Sequence, residues 1–137
     1  MHVAEGLDDA SLARLVDRFY ARVREDDLIG PLFNRAIADW SAHLDKLAAF
    51  WSSVMLTSGR YKGQPLPAHL RHQAEITPEM FGRWLALWED CAADSLPPDA
   101  AAAVIAKAHR IAASLQMALF ELLPPVPPRP AGVGASR

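Results

Sequence analysis

WSAHLDKLAAFWSSVML, residues 40–56, is the stretch that decides the fold class. Trp40, His43, Leu44, Leu47, Phe50, Trp51, Val54 and Met55 recur at the three- and four-residue spacing of one buried helix face. Asp39 in front of it is a good N-cap, and Gly59, just past the last periodic residues, reads as its end. One polar residue, His43, interrupts the apolar face three residues after Trp40 and four before Leu47. An unpaired polar group in such a place costs roughly 1–3 kcal/mol, so His43 needs a partner or a use.

The same helical period extends in both directions. Upstream, Leu12, Leu15, Val16, Phe19, Tyr20 and Val23 mark an amphipathic helix, with Asp8, Asp9 or Ser11 as candidate caps. Gly30-Pro31 reads as a break after it, followed by a short turn through Leu32 and Phe33. Downstream, Thr77-Pro78-Glu79 is a helix start: a capping hydroxyl, a proline in the first turn, and an acid facing the positive helix end. That helix carries Phe81, Trp84, Leu85 and Trp88 to about Ser95. Pro97-Pro98-Asp99 then breaks the chain and opens a last helix with Val104, Ile105, Ala108, Ile111, Ala112, Leu115 and Leu119 inward. No run alternates as a strand would, so the expected class is all-α, with four main helices.

Between the second and third of these helices lies an irregular stretch. Ser58 to Pro67 holds two glycines and two prolines in ten residues, which forbids a long helix. A brief helical turn is possible around 68–73. A small domain rarely keeps such a segment unless it serves a site, and this one leads into His69. The C-terminal stretch 124–137 has five prolines and two glycines in 14 residues. It is expected to be a disordered tail, leaving residues 1–123 as a single domain.

Composition narrows the function. With 137 residues the chain can bury one core. No apolar run reaches the roughly 18 residues of a membrane span, and no secretory signal is visible. The net charge of −2 and the absence of a basic stripe argue against nucleic acid. Cys91 is the single cysteine, which excludes an internal disulfide and a cysteine-based metal site. A cytoplasmic protein is expected, with neither a membrane nor a nucleic acid as partner.

Catalytic signatures are missing. There is no glycine-rich phosphate loop and no nucleophile elbow. A zinc site needs three or four ligands, and the spacing of His69 and His72 is the one local hint of it. Tyr20, His43 and Trp84, however, each carry a polar tip on a buried stripe of a different helix. Taken singly, each is explained by an ordinary core residue with its tip bonded to a carbonyl or water. Taken with a presented histidine, they suit haem. Its iron takes one imidazole, and a diatomic ligand that gains negative charge on binding is stabilised by Tyr O–H and Trp N–H donors. Phe33, Phe19 and Leu47 are suited to wedge a flat macrocycle.

The chain resembles the truncated haemoglobins, and specifically their third group. Four ordered blocks carry the resemblance: FYARVREDDLIGPLFN (19–34), WSAHLDKLAAFWSSVML (40–56), GRYKGQPLPAHL (59–70) and FGRWLALW (81–88). It spans roughly residues 10–120. It implies a two-over-two helical sandwich, a shortened globin, with haem b as cofactor. His69, in PLPAHL, matches the proximal histidine that binds the iron; His72 is a rival three residues on. Tyr20, His43 and Trp84 match distal residues, and Phe33 and Leu47 match residues packed on the haem. Arg60, Tyr61 and Arg71 are candidates for the haem carboxylates.

The resemblance implies binding of O2, NO, CO or a similar ligand, for transport, storage or sensing. An enzymatic reading, nitric oxide dioxygenation or peroxide chemistry with a reductase partner, uses the same residues. A third reading is a helical sensor or interaction domain without haem.

Overall fold

In a computed structural model of the chain, residues 4–61, 69, 72 and 74–122 are described, with side chains to Phe120. Among the described residues five α-helices have defined bounds: α1 (Asp9–Glu25), α2 (Gly30–Ala36), α3 (Trp40–Leu56), α4 (Pro78–Ser95) and α5 (Pro98–Gln116). The last turns, Met117–Leu122, are wound as a π-helix. No strand occurs among the described residues. Arg71 and residues 123–137, and so the expected tail, lie outside the described residues.

Local chemistry sets the helix starts. Asp8 caps α1: its carboxylate accepts from the Ser11 N–H at 2.7 Å, and Ser11 Oγ accepts from the Asp8 N–H at 3.0 Å. Asp39 caps α3 by accepting from the Ala42 N–H at 3.1 Å, and Thr77 caps α4 by accepting from the Met80 N–H at 3.3 Å. Pro78 and Pro98 occupy first-turn positions, where a missing N–H costs nothing.

Two boundaries differ from the sequence reading. Gly30-Pro31 does not merely break α1. That helix has already ended at Glu25, and Gly30 and Pro31 open α2, so the expected turn through Leu32 and Phe33 is helical. Proline fixes a helical φ and so starts a helix as readily as it follows one. Helix α3 ends at Leu56, not at Gly59. Thr57 takes the left-handed conformation (φ 53°) and donates its N–H to the Ser53 carbonyl, while Gly59 (φ 73°) turns the chain further on.

The long helices form two layers. Helix α1 packs on α3, α4 packs on α5, and α1 crosses onto α4 to join the pairs. Leu12, Leu15, Val16, Phe19 and Val23 of α1 are fully buried at the centre. The Trp51 and Trp88 rings stack at 4.3 Å and 18° between α3 and α4, and Phe19 abuts Trp88 edge-on at 4.9 Å. The Trp88 indole N–H donates to the Val104 carbonyl at 3.2 Å, which ties in α5. This is the all-α two-over-two arrangement.

The two helical glycines differ in a testable way. A Cβ at Gly30 would lie 2.9 Å from the Val23 carbonyl oxygen and 3.0 Å from that of Arg24, both rigid backbone. A Cβ at Gly82 meets nothing within 4 Å. Gly30→Ala is expected to destabilise by roughly 1–3 kcal/mol. Gly82→Ala, in mid-helix, is expected to stabilise by about 0.5–1 kcal/mol. Urea unfolding of the two variants checks the opposite signs.

Candidate functional site

Tyr20 sits one turn from the end of α1, where its stripe turns from the core centre toward α2 and α3. It is 5% exposed. Its ring lies edge-on to Phe33 of α2 at 5.7 Å, beside Trp40 of α3 at 5.9 Å, and edge-on to His43 at 6.3 Å. The Trp84 indole of α4 lies near enough to its hydroxyl to lower the phenol's pKa slightly. The structure therefore gathers Tyr20, His43 and Trp84, which the sequence places on three different helices, around one phenol. Phe33 closes the group from α2.

Burial sets the protonation of this group. Loss of water pushes the Tyr20 phenol up to about 12, against a smaller lowering by the nearby Trp84 indole, so it keeps its O–H at any ordinary pH. His43, half-buried, is shifted the other way: burial, and then the charge of Lys46, disfavour its imidazolium. Both side chains are neutral near pH 7. The cluster offers polar donors and no fixed charge.

Behind this group stands the aromatic core. Phe19 lies edge-on to Tyr20 at 4.6 Å and to Trp84 at 5.6 Å, and Trp84 lies parallel to Trp88 at 6.0 Å. Phe19 is fully buried there, so it braces Tyr20 and Trp84 from behind and has no surface left to wedge a macrocycle. Trp40 is a neighbour that sequence reasoning took only as core. It touches both Tyr20 and His43 (5.8 Å), and Arg24 stands 4.7 Å over its ring.

Along α3, one turn apart, Leu47, Phe50 and Val54 continue the face of His43. Although they pack on the core, they are only half-buried, as are Phe33, Trp84 and Leu85. Trp51 is the one large apolar side chain of α3 that is fully buried. A small domain that leaves a row of large apolar side chains half-covered, with two donors at one end, fits a flat, largely apolar group such as haem.

The remaining candidates lie after α3. Tyr61 packs edge-on against Phe50 at 5.3 Å, its N–H donates to Ser53 Oγ at 2.8 Å, and burial raises its phenol. The Arg60 guanidinium pairs with Asp9 at 2.6 Å. Ser52 and Ser58, hydroxyl to hydroxyl at 2.7 Å, complete this polar turn, which periodicity and cap chemistry do not reveal. His69 is half-buried and helical, and its carbonyl accepts from the His72 N–H at 3.0 Å. His72 directs Nδ1 to Glu75 at 3.5 Å, and Glu75 also pairs with Arg35 of α2.

Comparison with known proteins gives a consistent result. No protein-family model matches the chain. A curated group 3 truncated haemoglobin of Campylobacter jejuni is 33% identical over 124 residues, covering 85% of this chain and 94% of that protein. The crystal structure of group III truncated haemoglobin from Campylobacter jejuni superposes with a TM-score of 0.77 at 32% identity, covering 88% of this chain and 97% of that one.

The Tyr20 environment has a pH signature. Its folded-state value lies above the ordinary value near 10, so folding disfavours the tyrosinate. The resulting contribution to stability is complete below the unfolded value and is lost as the pH rises through the folded one. Ultraviolet titration of the folded chain is expected to show one tyrosine ionising only at about 12. Tyr20→Phe removes that late step; a late step surviving in the variant would assign it elsewhere.

Proposed function

The chain belongs to the group 3 truncated haemoglobins, and from that membership we propose that it holds haem b through His69 and binds O2 or another diatomic ligand on the side of Tyr20, Trp84 and His43. The observation that carries this reading is the neutral donor cluster at the end of a half-covered apolar face. Haem, when bound, supplies an iron that coordinates diatomic ligands reversibly.

The chain's own residues do the rest. His69 supplies an imidazole. Its rival His72 directs Nδ1 to Glu75, which itself pairs with Arg35; the PLPAHL context favours His69 as the ligand. Leu47, Phe50 and Phe33 present apolar surface to the macrocycle and exclude water. Tyr61, beside Phe50, would offer a hydroxyl to a haem carboxylate, and Arg71 remains a candidate by sequence. Arg60 serves that role only by leaving Asp9.

On the distal side, the Tyr20 O–H and the neighbouring Trp84 N–H would both be donors to the ligand. His43, uncharged, lines the same side without drawing in anions. Such an arrangement retains O2 firmly, which suits chemistry on the ligand, or sensing, at least as well as delivery.

An absorbance spectrum of the purified chain with haem is the direct test: a Soret band supports the reading, and a colourless protein that ignores added haem overturns it. His69→Ala is expected to abolish or greatly loosen haem retention, whereas His72→Ala leaves it intact; the reverse result assigns the iron to His72. Tyr20→Phe and Trp84→Phe are each expected to speed O2 release by about tenfold, since a hydrogen bond to a charge-bearing acceptor contributes roughly 1.5–3 kcal/mol. The double variant is expected to fall short of the product, because both donors share one acceptor. Stopped-flow dissociation rates decide it.

A further inference from the structure

Asp26 lies outside the groups named so far, yet each of its polar groups is engaged. Its backbone N–H donates to the Val23 carbonyl at 3.1 Å, ending α1, and its carbonyl accepts from the Gly30 N–H at 3.0 Å. One carboxylate oxygen accepts from the Leu28 and Ile29 N–H groups at 2.9 and 3.0 Å, fixing the turn into α2. The other accepts from the Arg83 guanidinium of α4 at 2.7 Å. The carboxylate side chain keeps 9% of its surface although it lies at the rim of the fold. Bare surface ion pairs contribute little, but a covered carboxylate with three donors is a fixed point.

The elements that meet there are those that carry the donor cluster. Tyr20 is on α1, six residues before Asp26; Phe33 is on α2, whose approach Asp26 caps; Trp84 follows Arg83 directly on α4. Taking the proposed function as its premise, we propose that Asp26, through Arg83, is the positioning residue of the distal side, setting the reach of the Trp84 indole to the Tyr20 hydroxyl. Removal of the bridge frees the start of α4 to shift relative to α1. Farther along α4, Trp88 is held separately by Val104.

That separation supplies the test. Hydrogen exchange of the Trp84 and Trp88 indole N–H groups is followed by NMR in the full chain, loaded with ferrous haem and carbon monoxide, which keeps it diamagnetic. Arg83→Met removes the partner, and Asp26→Asn removes the charge while keeping an acceptor for Leu28 and Ile29. Each is expected to accelerate Trp84 exchange by about tenfold, the order expected for loss of one charge-assisted bond. Trp88 exchange is expected to stay as in the unaltered chain, and the double variant to be no worse than either single one. Equal acceleration at both indoles would make the bridge a general brace and overturn the proposal; so would unchanged exchange at Trp84. A chain that takes up no haem overturns the functional reading instead, and the indole comparison is then read on the same chain without it.

Discussion

The Trp88 indole is the contact through which the four long helices are registered. It stacks on Trp51 of α3, receives the edge of Phe19 from α1, and donates its N–H to Val104 of α5. Each of these contacts is directional. A stacked pair and an edge-on ring tolerate little rotation, and a buried indole N–H left without an acceptor costs roughly 1–3 kcal/mol. Aliphatic packing alone would let α4 slide or roll; the indole forbids it. The position of Trp84, one turn earlier on α4 and parallel to Trp88, follows from that constraint.

A donor group is useful when it does not have to be ordered at the moment of binding. The layer of Phe19, Trp51 and Trp88 behind Tyr20 and Trp84 supplies that order. The hydroxyl of Tyr20 and the indole of Trp84 already face each other across a helix pair whose spacing is fixed elsewhere. Neutrality matters as much as position. A phenol raised by burial and an imidazole lowered by it give a polar patch without charge. The half-covered apolar row on α3 would be a liability in a domain with no ligand, and it is the natural consequence of a fold that shapes one face for a flat apolar partner.

Much of this was legible in the sequence because it is local. The caps at Asp39 and Thr77, the prolines that open α4 and α5, and the stripes carrying Tyr20, His43 and Trp84 all follow from spacing and cap chemistry. The errors were also physical. Gly30-Pro31 looks the same as a stop or a start, and only the close approach of the α1 carbonyls shows why the glycine is there. Thr57 ends α3 in a conformation that favours glycine, so the glycine two residues on drew the boundary. Phe19 and Tyr20 are adjacent on one stripe. Periodicity cannot say that the first is sealed in the core while the second meets Phe33, Trp40 and His43 from two other helices.

Asp26 shows the deeper limit of a one-dimensional reading. An aspartate after the last apolar residue of a helix reads as an ordinary surface charge. Its consequence depends on Arg83, 57 residues away in sequence. Helix stripes report which way a side chain faces, and caps report where a helix begins. Neither reports the offset of one helix along another, and the approach of the Trp84 indole to the Tyr20 hydroxyl is sensitive to that offset at the level of a few tenths of an ångström. Long-range polar bridges such as Asp26–Arg83, and directional ring contacts such as Trp51–Trp88, are what fix the offset. A site built across three helices is thus specified less by its own donors than by the residues that hold those helices in register.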